Sequence, residues 1–103
     1  MINDDFIKNR ITELRLKKDV SEYQMSLDLG NNKGYIQAIS SGRALPSMRE
    51  FLSICEYFNI TPKQFLDDEM ENPILINQIN DKIKNLKEDD LKILLGIINR
   101  IGE

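Results

Sequence analysis

Histidine is absent from the 103-residue sequence, and cysteine occurs only once, as Cys55. Zinc sites are built mainly from clustered histidine and cysteine side chains, so a zinc site is not expected. A single cysteine excludes an intrachain disulfide, and its neighbours Phe51, Ile54 and Phe58 favour core packing over a nucleophilic role. No serine, cysteine or carboxylate residues with catalytic spacing can be recognised. We therefore expect a protein that is not an enzyme and that needs no metal or cofactor.

Long apolar runs are also missing. No stretch approaches the roughly 20 apolar residues that a membrane helix needs. Residues 1–5, which include Asp4 and Asp5, lack the basic-then-apolar order of a signal peptide. Charged residues make up 30% and hydrophobic residues 41% of the chain, a balance typical of soluble globular proteins. Together with the single cysteine, which suits a reducing compartment, these features predict a cytoplasmic protein without a membrane partner, and no motif indicates a small-molecule ligand.

The sequence has no excess of positive charge, and its net charge is −3. Residues 1–66 carry nine lysines and arginines against eight aspartates and glutamates, whereas residues 67–103 carry five against nine. Because phosphate neutralisation needs lysine and arginine, strong nonspecific binding of nucleic acid is not expected. A nearly neutral first segment remains compatible with a specific binder of modest affinity.

Apolar residues recur at helical spacing, and no segment shows the alternation of a strand. Ile7, Ile11 and Leu14 predict a first helix over about residues 4–18. Four shorter helices are predicted to follow, each after a favourable N-cap residue. These caps are Ser21, Asn32, Ser47 and Thr61. The predicted core comprises Ile11, Leu14, Met25, Leu29, Ile36, Ile39, Phe51, Cys55, Phe58 and Phe65. The expected fold class is all-α, with a five-helix domain over residues 1–69.

An acidic break at residues 67–71 marks the start of a second segment, residues 70–103, which is predicted to be a helical pair. Two apolar stripes in it repeat a spacing of 3, 4 and 3 residues. The stripes are Ile76, Ile79, Ile83 and Leu86, and Leu91, Leu94, Ile98 and Ile101. Ile93, Leu95 and Ile97 add apolar surface, so we expect this pair to mediate self-association into a homodimer. Packing onto Tyr23 and Leu27 within one chain is the alternative.

The segment from Val20 to Gly42 predicts two short helices joined through a glycine, the second beginning with polar residues. Such a second helix can lie in the major groove of DNA. From Ile7 to Leu66 the chain resembles the Cro/CI-type (Xre family) helix-turn-helix proteins of phage repressors and bacterial regulators. The landmarks are Leu14-Arg15, Ser21, Leu29-Gly30, Ile36, Ile39, Ser41-Gly42-Arg43, Pro46-Ser47 and residues 58–61. The resemblance implies a phage-repressor-like helix-turn-helix domain followed by the helical pair.

The resemblance also implies which positions touch DNA. Side chains that face the bases in the family match Lys33, Gly34, Gln37 and Ala38. Positions that commonly touch phosphate match Asn32, Tyr35, Ser41 and Arg43. The DNA-contacting positions at the start of helix two match Ser21 and Glu22. Lys33 can donate to guanine, Gln37 can pair with adenine, and Gly34 and Ala38 offer close approach or contact with a thymine methyl.

Two positions depart from the family pattern. Glu22 replaces a common glutamine and is an anion that phosphate would repel. Ser40 stands where many relatives have a glutamate that pairs with an arginine at the position of Arg15, which leaves Arg15 to face either phosphate or solvent. With so few base-reading groups, DNA shape is expected to contribute to specificity.

The resemblance implies a transcriptional regulator, a repressor, that binds double-stranded operator DNA as a dimer. The alternative is a protein-interaction module on the same fold, such as an antitoxin or anti-repressor, with weak or no DNA binding. Glu22, Gly34, Ala38 and the acidic tail favour this alternative. The presence of duplex binding, and its dependence on salt, distinguishes the two.

Overall fold

A computed structural model of the chain describes residues 2–69 and 72–102. Within these residues the structure contains seven helices and no strand, which confirms the predicted all-α class. The helices are α1 (Asp4–Lys18), α2 (Glu22–Asp28), α3 (Tyr35–Ser40), α4 (Met48–Tyr57), α5 (Pro62–Phe65), α6 (Pro73–Ile83) and α7 (Glu88–Ile101). None of the described helices has both the length and the apolar character required to cross a bilayer.

Three of the predicted N-caps start helices. The side-chain oxygens of Ser21, Ser47 and Thr61 each accept a hydrogen bond from the backbone N–H three residues later, at 3.0–3.1 Å. Ser47 and Thr61 form complete capping boxes, because the side chain of the third residue bonds back to the cap N–H. These local bonds fix where α2, α4 and α5 begin.

The predicted start of the third helix near Asn32 is wrong. The Asn32 Oδ1 atom accepts a hydrogen bond from the Gly34 N–H at 3.1 Å, and the helix begins only at Tyr35. Asparagine side chains stabilise such turns by bonding backbone two residues onward, in competition with the helix. Lys33 and Gly34 therefore lie in a turn before α3, and Gly34 is an N-cap rather than a glycine inside a helix.

The core is formed by residues from helices α1 to α5 and the loops between them. Eight of the ten predicted core residues are buried, while Leu29 and Phe51 are only partly buried against them. Ile54 and Ile60 are buried as well. The rings of Phe51 and Phe65 pack edge to face, with centroids 4.9 Å apart. Cys55 is buried in the same cluster, and burial raises the pKa of its thiol to about 11.

A buried arginine joins the first helix to the end of the fifth. Arg10 is only 5% exposed. Its Nε atom donates to the carbonyl oxygen of Phe65 at 3.0 Å, and its Nη2 atom donates to those of Gln64 and Asp67 at 2.9 and 3.3 Å. Its Nη1 atom pairs with Glu13 at 3.0 Å. The guanidinium thus provides donors for carbonyl oxygens at the C-terminal end of α5 and just beyond it, where a helix has no further turn to supply N–H groups.

A second polar group, Ser26, holds α3 against α2. The buried Ser26 hydroxyl donates to the Glu22 carbonyl oxygen at 2.7 Å and accepts a hydrogen bond from the Ile36 N–H at 3.0 Å. The Ile36 N–H lies in the first turn of α3, where helices leave backbone donors unpaired. Ser26 therefore sets the position of α3 relative to α2.

We expect Ser26→Ala to lower the free energy of unfolding by about 1–3 kcal/mol, because the buried Ile36 N–H loses its acceptor. Urea unfolding followed by circular dichroism measures the loss. Ser53→Ala, at an exposed position of α4, is the matched control and should change stability by less than about 0.5 kcal/mol. Equal stability of the two variants would show that the Ser26 bridge is unimportant.

Helix α6 contacts the preceding domain on one side only. Pro73 is buried, and Ile74 packs against the core. The side-chain amides of Asn77 and Gln64 pair reciprocally at 2.9 Å, and Asn77 also donates to the Asn59 carbonyl oxygen at 2.7 Å. These contacts attach the helical pair α6–α7 to α5 and to the end of α4.

Most of the rest of the helical pair is exposed, although Ile83 and Leu94 are half-buried. No residue of α7 is buried, and Ile93 and Ile98 are 64% and 53% exposed. The radius of gyration is 16.6 Å, whereas a compact domain of this length has about 13 Å. Tyr23 and Leu27 are also exposed, so in a single chain they do not cover the apolar stripes.

Candidate nucleic-acid interface

The candidate interface is the surface formed by the turn before α3, by α3 itself and by the turn after it. We call it the recognition surface and define it as residues 32–34, 37, 38, 41 and 43. Ser26 fixes its N-terminal end through the Ile36 N–H. Ser40 contributes to its other end by donating to the Glu22 carboxylate on α2. The two departures from the family pattern, Glu22 and Ser40, are therefore partners of each other.

The C-terminal end of α3 brings Arg43 back over the helix. Gly42 adopts a left-handed conformation with φ +83°, which glycine tolerates without steric cost. The Gly42 N–H bonds to the Ile39 carbonyl oxygen and the Arg43 N–H bonds to the Ala38 carbonyl oxygen, both at 3.0 Å. This pair of bonds is a Schellman motif. The backbone of Arg43 is thereby held beside Ala38 rather than continuing away from α3.

The side chains of Gln37, Ser41 and Arg43 form a cluster on the recognition surface. Arg43 donates from Nε to the Ser41 Oγ atom at 3.0 Å and from Nη2 to the Gln37 Oε1 atom. Ser41 in turn donates to the Ala38 carbonyl oxygen at 3.1 Å. All three side chains are exposed. Sequence reasoning placed Gln37 on bases and Arg43 on phosphate, but the structure brings the two together.

Lys33 and Gly34 are exposed in the turn that precedes α3, and no described residue pairs with the Lys33 ammonium. Gly34 has φ −99°, which any residue can adopt. A Cβ atom built at Gly34 would meet only the Asn32 Oδ1 atom, at 3.7 Å, an ordinary contact. The fold therefore does not require glycine at this position, and the open space beside it is available to a ligand.

Tyr35 does not present its hydroxyl to a ligand, contrary to the predicted phosphate contact. The hydroxyl oxygen is buried and faces the Glu50 carboxylate. Burial, followed by the nearby Glu50 charge, raises the pKa of Tyr35 well above its usual range. Its hydroxyl would have to leave this site before it could touch phosphate.

Arg15 has a partner within the chain. Its Nη1 atom donates to the Val20 carbonyl oxygen at 2.8 Å, and the side chain is partly buried. It therefore stabilises the connection between α1 and α2. Ser21 acts as the N-cap of α2, and Ala38 is partly buried on α3.

Sequence reasoning missed Ser26 and Arg10 as structural groups. In both cases the sequence places a polar residue next to predicted core residues. Ser26 is a small polar residue beside Met25 of the predicted core, and Arg10 lies on the same helical face as Ile7 and Leu14. A polar residue on a buried face usually has a hydrogen-bond partner, but the sequence does not reveal which group that is.

Comparison of the chain with protein-family models, with curated proteins and with solved structures yields no match.

Proposed function

We propose that this protein is a sequence-specific DNA-binding transcriptional regulator, a repressor, with a phage-repressor-like helix-turn-helix domain in residues 1–69. The observation that carries the proposal is the recognition surface. Ser26 holds the short helix α3 against α2, and three exposed side chains lie on this helix or in its flanking turns, namely Gln37 on α3, Lys33 before it and Arg43 after it. In helix-turn-helix proteins the second helix of such a pair enters the major groove with its N-terminal residues against base edges.

The dimensions of the recognition surface suit this role. An α-helix with its side chains is about 10–12 Å across, which fits a major groove about 12 Å wide, and α3 is a short helix of six residues. The turn carrying Lys33 and Gly34 would enter first. Small side chains at Gly34 and Ala38 leave room for bases, and Ala38 can contact a thymine methyl. The hydroxyl of Ser21 and the amide of Asn32 remain candidates for phosphate contacts.

Dimerisation through residues 70–103 completes the proposal. The apolar faces of α6 and α7 have large exposed side chains that the same chain does not cover. A second copy related by a two-fold axis is the commonest cover for such a surface among soluble oligomers. Two recognition surfaces would then face two half-sites of an approximately palindromic operator.

Selection of bound sequences from random duplex DNA tests the function directly. We expect enrichment of an approximate palindrome and an affinity that falls as the salt concentration rises. The second candidate, a protein-interaction module such as an antitoxin, is favoured by the Glu22 carboxylate, which stands at the start of α2 where phosphate would approach. Absence of any enriched duplex would favour that second function.

We expect Lys33→Ala to relax the preference for guanine at one base pair of each half-site and to cost about 1–3 kcal/mol in binding of the selected operator. Because Lys33 is exposed and lies outside the core, the thermal stability should not change. Fluorescence anisotropy with the selected operator and single-base variants measures the effect. Lys63→Ala, a lysine of α5, is the control, and equal affinity of both variants would contradict the assignment of Lys33.

A further inference from the structure

The acceptor atoms of the recognition surface are already engaged within the protein. The Asn32 Oδ1 atom accepts from the Gly34 N–H, and the Ser41 Oγ atom accepts from Arg43 Nε. The Gln37 Oε1 atom accepts from Arg43 Nη2. Each of these oxygens has one lone pair engaged, so donors predominate among the side-chain groups that can face a ligand: the Lys33 ammonium, the Asn32 Nδ2 and Gln37 Nε2 amides and the remaining N–H groups of Arg43.

This donor surface changes what Gln37 can read. A glutamine pairs with adenine by accepting from adenine N6 while donating to N7. With a guanidinium at the Gln37 oxygen, adenine N6 would meet Arg43 N–H groups, donor against donor. Guanine presents acceptors at both O6 and N7, so it can take hydrogen bonds from Arg43 and from Gln37 Nε2 together.

The position of Arg43 is fixed by the backbone as well as by its side chain. The Schellman motif at Gly42 holds the Arg43 N–H on the Ala38 carbonyl oxygen, one residue from Gln37 along α3. Two side-chain acceptors, on Ser41 and Gln37, then orient the guanidinium plane. Arginine donors in a planar fork match paired acceptors such as those of guanine.

We infer that Gln37 and Arg43 act as one unit that reads guanine, so that the base opposite Gln37 in each half-site is guanine and not adenine. The inference rests on the proposed DNA-binding function, and it replaces the expected roles of Gln37 on adenine and Arg43 on phosphate. Arg43 thus determines specificity because its hydrogen bond to the Gln37 Oε1 atom orients the Gln37 amide.

Selection from random duplex DNA with the full chain and three variants tests this inference. Gln37→Ala identifies the base pair concerned, because preference is lost there. At that pair we expect the parent protein to favour guanine over adenine by about fivefold or more. Arg43→Ala should reverse or abolish this preference, because the freed Gln37 oxygen can accept from adenine N6. Arg49→Ala, an exposed arginine of α4, is the control and should leave the preference unchanged.

A modified base provides a second readout. Replacing the assigned guanine by 7-deazaguanine removes the N7 acceptor and should weaken the parent protein severalfold without affecting Gln37→Ala. The inference is overturned, with DNA binding intact, if the parent favours adenine at that pair or if Arg43→Ala retains the guanine preference. If no duplex is enriched by the parent protein, the DNA-binding function fails and the guanine inference fails with it.

Discussion

Arg10→Met is expected to lower the melting temperature by about 12–24 °C. The guanidinium makes hydrogen bonds to three carbonyl oxygens at the end of α5, and methionine keeps much of the aliphatic volume but none of the donors. Hydrogen bonds from a charged group contribute about 1.5–3 kcal/mol each, and partial hydration of the outer carbonyls reduces the total to about 3 kcal/mol. For a domain of this size each kcal/mol corresponds to about 4–8 °C.

Differential scanning calorimetry of Arg10→Met beside Arg49→Met separates the buried guanidinium from the general loss of an arginine. Arg49 is exposed on α4, and its replacement should change stability by less than about 0.5 kcal/mol. Arg10→Lys should recover only part of the loss, because an ammonium lacks the planar fork that reaches several acceptors. Equal melting temperatures for Arg10→Met and Arg49→Met would show that this network contributes little.

Ile98→Asp should weaken the proposed dimer by about 10²–10⁴-fold. Burial of one isoleucine is worth about 1.5–3 kcal/mol, and a two-fold interface loses that contribution twice. Ile98 is 53% exposed in the single chain, so the substitution costs the monomer little. Sedimentation velocity over a range of micromolar concentrations measures the shift from dimer to monomer.

Leu52→Asp provides the matched control for the dimer. Leu52 is 48% exposed on α4, outside the helical pair, and the substitution adds the same charge to a similar apolar position. Circular dichroism of both variants verifies that the fold is retained. A parent protein that stays monomeric at tens of micromolar, or an Ile98→Asp variant that dimerises like the parent, means that the apolar faces of α6 and α7 have another role.

The helices and the core could be predicted because both depend on local patterns. Apolar spacing placed Ile36 and Ile39 inside, and the caps Ser21, Ser47 and Thr61 fixed three helix starts. The C-terminal pair was predicted from its two stripes, and α6 and α7 occupy the expected residues. Spacing along one helix is a property that sequence carries directly.

The details of the candidate site could not be predicted in the same way, because they depend on pairs of side chains from different elements. Asn32 was expected to cap a helix, but its side chain instead bonds to the turn that delays α3. The Tyr35 hydroxyl turns inward toward Glu50 on α4. The contact between Gln37 and Arg43 depends on the chain reversal at Gly42. In each case the partner of the side chain depends on which groups the fold brings close to it.

The burial of Cys55 makes the rate of thiol alkylation a measure of how often the core opens. Its thiol is shielded by the core, and a pKa of about 11 leaves almost no thiolate at neutral pH. Alkylating reagents react with the thiolate, so the Cys55 thiol is modified only after the core opens. When opening and closing are fast, the rate of labelling follows the free energy of opening. The lone cysteine thus reports the integrity of the domain around it without any added probe.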